Sequence, residues 1–157
     1  MTSTWLAVLG AVARGVAQRR IRTQELRVLA AVLACERGAL AGITFATIPR
    51  TRRWLRRMRR PAAVALGRAS QERVLWALDV SARRGVGTCL TRALAAEALL
   101  PPSMHPALVI GVAPCRGASR LDAHAWVEVD GRVVVGEHAL LANYRPLVVW
   151  QPPRPGA

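Results

Sequence analysis

The hydrophobic period of this chain changes once along its length, and that change sets the fold class. Up to Leu100, apolar residues recur every three or four positions. From Ala107 onward they form short strand-like blocks between turn signals. Residues 4–20 and 24–46 read as helices, with Leu6, Leu9, Val12 and Val16 lining the first and Thr23 placed to cap the second. Ile48-Pro49 is expected to end that second helix. A basic amphipathic segment fills 50–60, a third helix with Val74, Leu75, Leu78 and Val80 covers 70–83, and another runs from Cys89 until the prolines after Leu100. Residues 107–112 read as a strand, 124–129 and 132–137 as a hairpin, and 144–150 as a last strand. Helices first and strands last predict an α+β arrangement.

At 157 residues, 52% of them apolar, the chain suits one domain with a real core rather than a disordered polymer. It divides into an Arg-rich helical region over 1–69, a core over 70–150 and a flexible tail over 151–157. Three cysteines are too few for a disulfide framework and fit free thiols in a reducing cytoplasm. Residues 5–13 are apolar, but the arginines follow them instead of preceding them, the wrong order for a secretion signal. Residues 26–49 are long enough to span a bilayer, yet Glu36 and Arg37 lie at the centre, each costing about 2.5–3.5 kcal/mol there. A buried or interfacial helix is the reading that follows.

Net charge is +14, and every basic residue is arginine. Residues 1–70 hold 14 Arg against Glu25 and Glu36, a net of +12; residues 71–157 hold 9 Arg against 7 acids, a net of +2. Such asymmetry points to an acidic partner or a membrane surface for the segment around Trp54, Leu55 and Met58, unless its arginines are simply a solvated helix face. No nucleic-acid motif accompanies it, so nucleic acid is not an expected partner.

The chemistry concentrates in Gly85-Val86-Gly87-Thr88-Cys89-Leu90-Thr91-Arg92. Two glycines shape a tight turn, Thr88 can cap, and Cys89 falls in the first turn of an apolar helix. A helix N-terminus favours the thiolate and offers unpaired N–H groups to an oxyanion. The residues alone leave a second reading open, in which Cys89 is a small packed hydrophobe. Cys35 reads as a core thiol, and Cys115 as a surface thiol in a loop.

His124 begins a strand, and Asp130-Gly131 is a type I′ turn signal that fixes the register of the hairpin. Counting outward from that turn pairs Val129 with Arg132, Glu128 with Val133, Trp126 with Val135, and His124 with Glu137. Glu137 is therefore the candidate carboxylate to orient the imidazole. Asp122 and Asp130 are weaker candidates, and His105 and His138 read as loop residues. The histidines and cysteines match no metal spacing, so neither a metal nor a cofactor is expected.

Three segments in this order, Gly87-Thr88-Cys89-Leu90-Thr91-Arg92-Ala93-Leu94, then 108–112, then His124-Ala125-Trp126-Val127-Glu128-Val129-Asp130-Gly131, resemble the transglutaminase-like cysteine proteases of lasso-peptide biosynthesis. The likeness covers roughly 70–150 and implies a transglutaminase/papain-like fold and removal of a leader from a ribosomal precursor peptide. It implies Cys89 as nucleophile and His124 as base. The family's third residue, often Asp, falls where Gly136 stands here, which leaves Glu137 as its neighbour. The resemblance further implies the stand-alone form, working with a separate leader-recognition protein and the lasso macrocyclase. Acyl transfer to an amine, or a non-enzymatic basic adaptor, are the alternatives.

Overall fold

The computed structural model describes residues 23–66, 71–114 and 121–151. The helix expected over 4–20, the thiol of Cys115 and most of the proline-rich tail lie outside them. Four helices come first: α1 (Thr23–Phe45), α2 (Ile48–Leu66), α3 (Gln71–Arg83) and α4 (Cys89–Leu99). Then β1 (Ala107–Pro114), β2 (Leu121–Val129), β3 (Arg132–Val135) and β4 (Arg145–Trp150) form one antiparallel sheet in the order β3-β2-β1-β4. The class is α+β, as the change of period predicts.

Ile48-Pro49 does not end a helix but begins one. Proline lacks an N–H and fixes φ, so the first turn tolerates it best. α1 accordingly stops at Phe45, and α2 starts at Ile48.

α4 is the central element. Every residue from Ala93 to Leu100 is buried, and the helix packs against α1, α2 and α3 on one side and β1, β2 and β3 on the other. A helix enclosed on all sides must be apolar or small around its whole circumference, and Ala93, Ala95, Ala96 and Ala98 meet that condition. α1 contributes Val28, Leu29 and Val32, α3 contributes Val74, Ala77 and Leu78, and the sheet contributes Leu108, Ala125, Val127 and Val135 to one continuous core. Burying a leucine such as Leu78, Leu94 or Leu108 stabilises the fold by about 1.5–3 kcal/mol each.

One charge inside α4 has a defined partner. Glu97, 4% exposed, receives Arg52 through two hydrogen bonds, Nε–Oε2 at 2.8 Å and Nη2–Oε1 at 2.5 Å, and Arg56 Nη2 at 2.7 Å. The Arg52 guanidinium also lies 4.7 Å from the centroid of the Trp150 ring. α2 is thereby tied to both α4 and β4.

Candidate active site

Cys89 is the first residue of α4, half-buried against the main core. Thr88 caps the helix, and its box with Thr91 is complete: the Thr91 amide donates to Thr88 Oγ1 at 3.2 Å, and the Thr88 amide donates to Thr91 Oγ1 at 2.8 Å. Gly87 has φ +73°, and a Cβ there would lie 2.7 Å from Thr91 Oγ1, so only glycine fits. Among the described residues, no hydrogen bond uses the amides of Cys89 and Leu90. They stand at the positive end of the helix dipole, beside the thiol.

The turn before Cys89 is held from beneath. The Val86 amide donates to Ser81 O at 3.1 Å, and Arg92 Nη2 donates to Val86 O at 3.1 Å. Ser81 Oγ in turn donates to Glu36 Oε2 at 2.5 Å. Glu36 is 1% exposed; its Oε1 lies 3.9 Å from Arg92 Nε, and neither of those two atoms has a hydrogen bond. Burial pushes the Glu36 carboxyl above its ordinary 4.5, against the opposing pull of Ser81 and Arg92. Cys35, the neighbouring thiol, is pushed up to about 11 by burial and by the Glu36 charge. It is a poor nucleophile.

His124 lies on β2 opposite Gly111 of β1. Its Nε2 is 2.8 Å from the carbonyl oxygen of Gly136. A carbonyl only accepts, so Nε2 carries the proton, and Nδ1 is the ring nitrogen left to exchange one.

The register expected from Asp130-Gly131 holds for Val129↔Arg132 and Glu128↔Val133, with Asp130 at φ 49° and Gly131 at φ 74° as a type I′ turn requires. Between Val127 and Glu128 the ladder shifts, so Val127 faces Val135 where the turn alone predicts Trp126. β3 ends at Val135, and the His124–Glu137 pairing does not form. The cause is a bulge followed by a close approach. Gly136 adopts φ +87°, and a Cβ there would stand 2.9 Å from Ala125 O and 3.0 Å from Trp126 Cα. No aspartate fits at that position. The backbone carbonyl meets the imidazole instead.

Glu137 is exposed, and among the described residues no hydrogen bond or ion pair ties it to His124. It lines a cavity of about 370 Å³ with Leu75, Leu78, Asp79, Arg92 and Val134. Asp130 stays in the turn, and His105 caps a short 3-10 turn with φ 47°.

The pleat of β2 places Asp122, His124 and Trp126 on the sheet face away from the helices, while Ala125 and Val127 face α4. On that far face the His124 ring is 5.5 Å from the Tyr144 ring and 5.4 Å from the His138 ring, centroid to centroid. The Trp126 ring lies at 6.2 Å with its plane within 19°. Tyr144 donates its hydroxyl to the Asp122 carboxylate, and Trp126 Nε1 donates to Glu128 at 2.7 Å. Gly111 makes room for the indole: a Cβ there would lie 2.7 Å from Trp126 Cη2.

His138 and Tyr144 are the site neighbours that sequence reasoning misses, since no spacing links them to His124. Asp122 had a signal. It stands two residues before His124, and once β2 begins at Leu121 the two share a face.

Cys89 and His124 thus stand on adjoining elements but on opposite sides of the sheet: α4 packs on the face of β2 that carries Ala125 and Val127, and His124 stands with Trp126 and Tyr144 on the other. Among the described residues no hydrogen bond joins the two side chains.

Residues 9–149 match the family model described as the transglutaminase-like superfamily. No curated protein and no solved structure matches the chain.

Proposed function

We propose, from the premise that the chain belongs to the transglutaminase-like superfamily, that it is a cysteine peptidase which removes the leader of a lasso-peptide precursor. Superfamily membership supports a cysteine protease or acyltransferase. The finer reading rests on the three motif segments and on the chemistry available at residues 89 and 124. One observation carries it. A thiol heads a capped helix with two unused amides, while a histidine on the adjoining strand is held through Nε2 and so leaves Nδ1 free to accept a proton.

On this reading Nδ1 of His124 takes the Cys89 proton, and the thiolate attacks the carbonyl at the leader–core junction. The Cys89 and Leu90 amides receive the developing oxyanion. The C–N bond breaks, the imidazolium returns its proton to the departing core amine, and the leader remains as a thioester. Water, deprotonated by the same ring, releases the leader carboxylate and restores the thiol. Cys89 packs on the helix side of the sheet, and His124 stands with Trp126 and Tyr144 on the far face. The free protein must therefore move to bring thiol and ring together before the peptide is cut. The Gly136 carbonyl holds the ring.

The described N-terminal residues are α1 and α2, both packed into the shared core. The resemblance of the three motif segments implies delivery of the leader by a separate recognition protein, with the macrocyclase acting on the product. Purified protein, mixed with the precursor and that recognition protein, should release leader. Cys89→Ala should release none, and cleavage at the wild-type rate in that variant would end the proposal. Product masses separate the rival activity: hydrolysis adds water across the cut bond, whereas transfer to an amine expels ammonia.

A further inference from the structure

Helix α2 divides its arginines between two environments. Arg52 and Arg56 turn inward and are neutralised by Glu97. Arg50, Arg53 and Arg57 are exposed and pair with no carboxylate among the described residues. Helical spacing gathers positions 50, 53, 54, 57 and 58 on one face, where Trp54 and Met58 remain 47% and 44% exposed. The Trp54 ring lies over Gly38 of α1, at which a Cβ would stand 2.8 Å from it. This contact brings the α2 face beside the C-terminal end of α1, where Phe45 is 88% exposed. α1 itself reaches a mean hydropathy of 1.6 over an 18-residue window, only 28% of which is buried within the protein.

We propose that this α1–α2 surface docks the protein on an anionic lipid bilayer. Arg50, Arg53 and Arg57 meet the headgroup phosphates, and Phe45, Trp54 and Met58 enter the interfacial layer. The arginines have no structural task left, since the charges that the fold needs from α2 are the two on Glu97. An acidic protein would also satisfy them. Lipid is favoured because the cations are interleaved with large, half-exposed apolar side chains on one helix face.

The inference is independent of the thiol chemistry, so Cys89→Ala should dock as the wild type does. The full chain is sedimented with vesicles of phosphatidylglycerol and phosphatidylcholine in equal parts, and with phosphatidylcholine alone, at about 0.1 M salt. It should bind the anionic vesicles, release at high salt, and ignore the neutral ones. Arg50→Glu/Arg53→Glu/Arg57→Glu should weaken binding by at least about tenfold, with an unchanged urea unfolding curve. Phe45→Ser alters no charge or core contact and should weaken binding severalfold. Equal binding to neutral vesicles, full binding by the charge-reversed protein, or no binding by the wild type would each overturn the proposal. Capture of an acidic protein through the same arginines, without vesicle binding, would also overturn it.

Discussion

The two faces of the sheet are made from the same strands yet obey different rules. Toward the helices, Leu108, Ala125, Val127 and Val135 are apolar and belong to the continuous core. On the far face, Asp122, His124, Trp126 and Tyr144 are polar or aromatic and held by directed hydrogen bonds, Tyr144 to Asp122, His124 to the Gly136 carbonyl and Trp126 to Glu128. Alternate residues of β2 serve the two ends. A strand with period two can therefore hold the histidine and its polar neighbours on one side while its stability, and the Cys89 helix, lie on the other. A difference of this kind can be broken by substitution.

The largest effect belongs to the far face. His124→Ala should lower the rate of leader release by about 10²–10⁴, while thermal unfolding moves little, because the ring is only partly buried and outside the main core. A collapse of stability in that variant would merge the two faces into one role. The converse substitution is Leu108→Ala on the helix side. It should cost about 2–5 kcal/mol in urea unfolding while leaving kcat per folded molecule near the wild-type value.

Smaller effects sharpen the comparison. Tyr144→Phe removes the hydroxyl that donates to Asp122. A cost of about 0.5–1.5 kcal/mol is expected, with a severalfold loss of activity if this pair helps to seat the His124 ring. Calorimetry and steady-state rates of the same sample would separate the two. Glu36 tests the helix side through pH. Its carboxyl is raised above 4.5 chiefly by burial, so the folded state favours the protonated form. Its contribution is complete below the unfolded value and fades as pH rises through the folded one. Glu36→Gln should therefore flatten the decline in stability above pH 4.5 expected of the wild type. A steeper decline in the variant would mean that Arg92 outweighs burial.

Most of the architecture was legible in the sequence for local reasons. Of the apolar positions read on α3, Val74 and Leu78 are buried and Leu75 and Val80 partly so, and Asp130-Gly131 names its own turn. Thr88 reads as the cap of α4, and it is. What escaped depends on contacts between distant segments. The bulge at Val127/Glu128 is set by packing of Gly136 on Ala125 and Trp126, and turn chemistry cannot announce it. That single shift replaces a carboxylate by a carbonyl as the partner of His124. Likewise, Arg52 and Arg56 look like their exposed neighbours until Glu97, more than 40 residues away, arrives opposite them. Pro49 was misread because proline stops one helix and starts another with the same residue.

The reacting pair is best tested without any substrate. Iodoacetamide labelling at neutral pH, resolved by peptide mass spectrometry, compares Cys89 with Cys35 inside one molecule. Burial holds the Cys35 thiol up at about 11, which makes it a built-in slow reference. Cys89 should label more than tenfold faster than Cys35, by the thiolate rule, and should lose most of that advantage in His124→Ala. Equal labelling of Cys89 with and without the imidazole would contradict the pairing of these two residues.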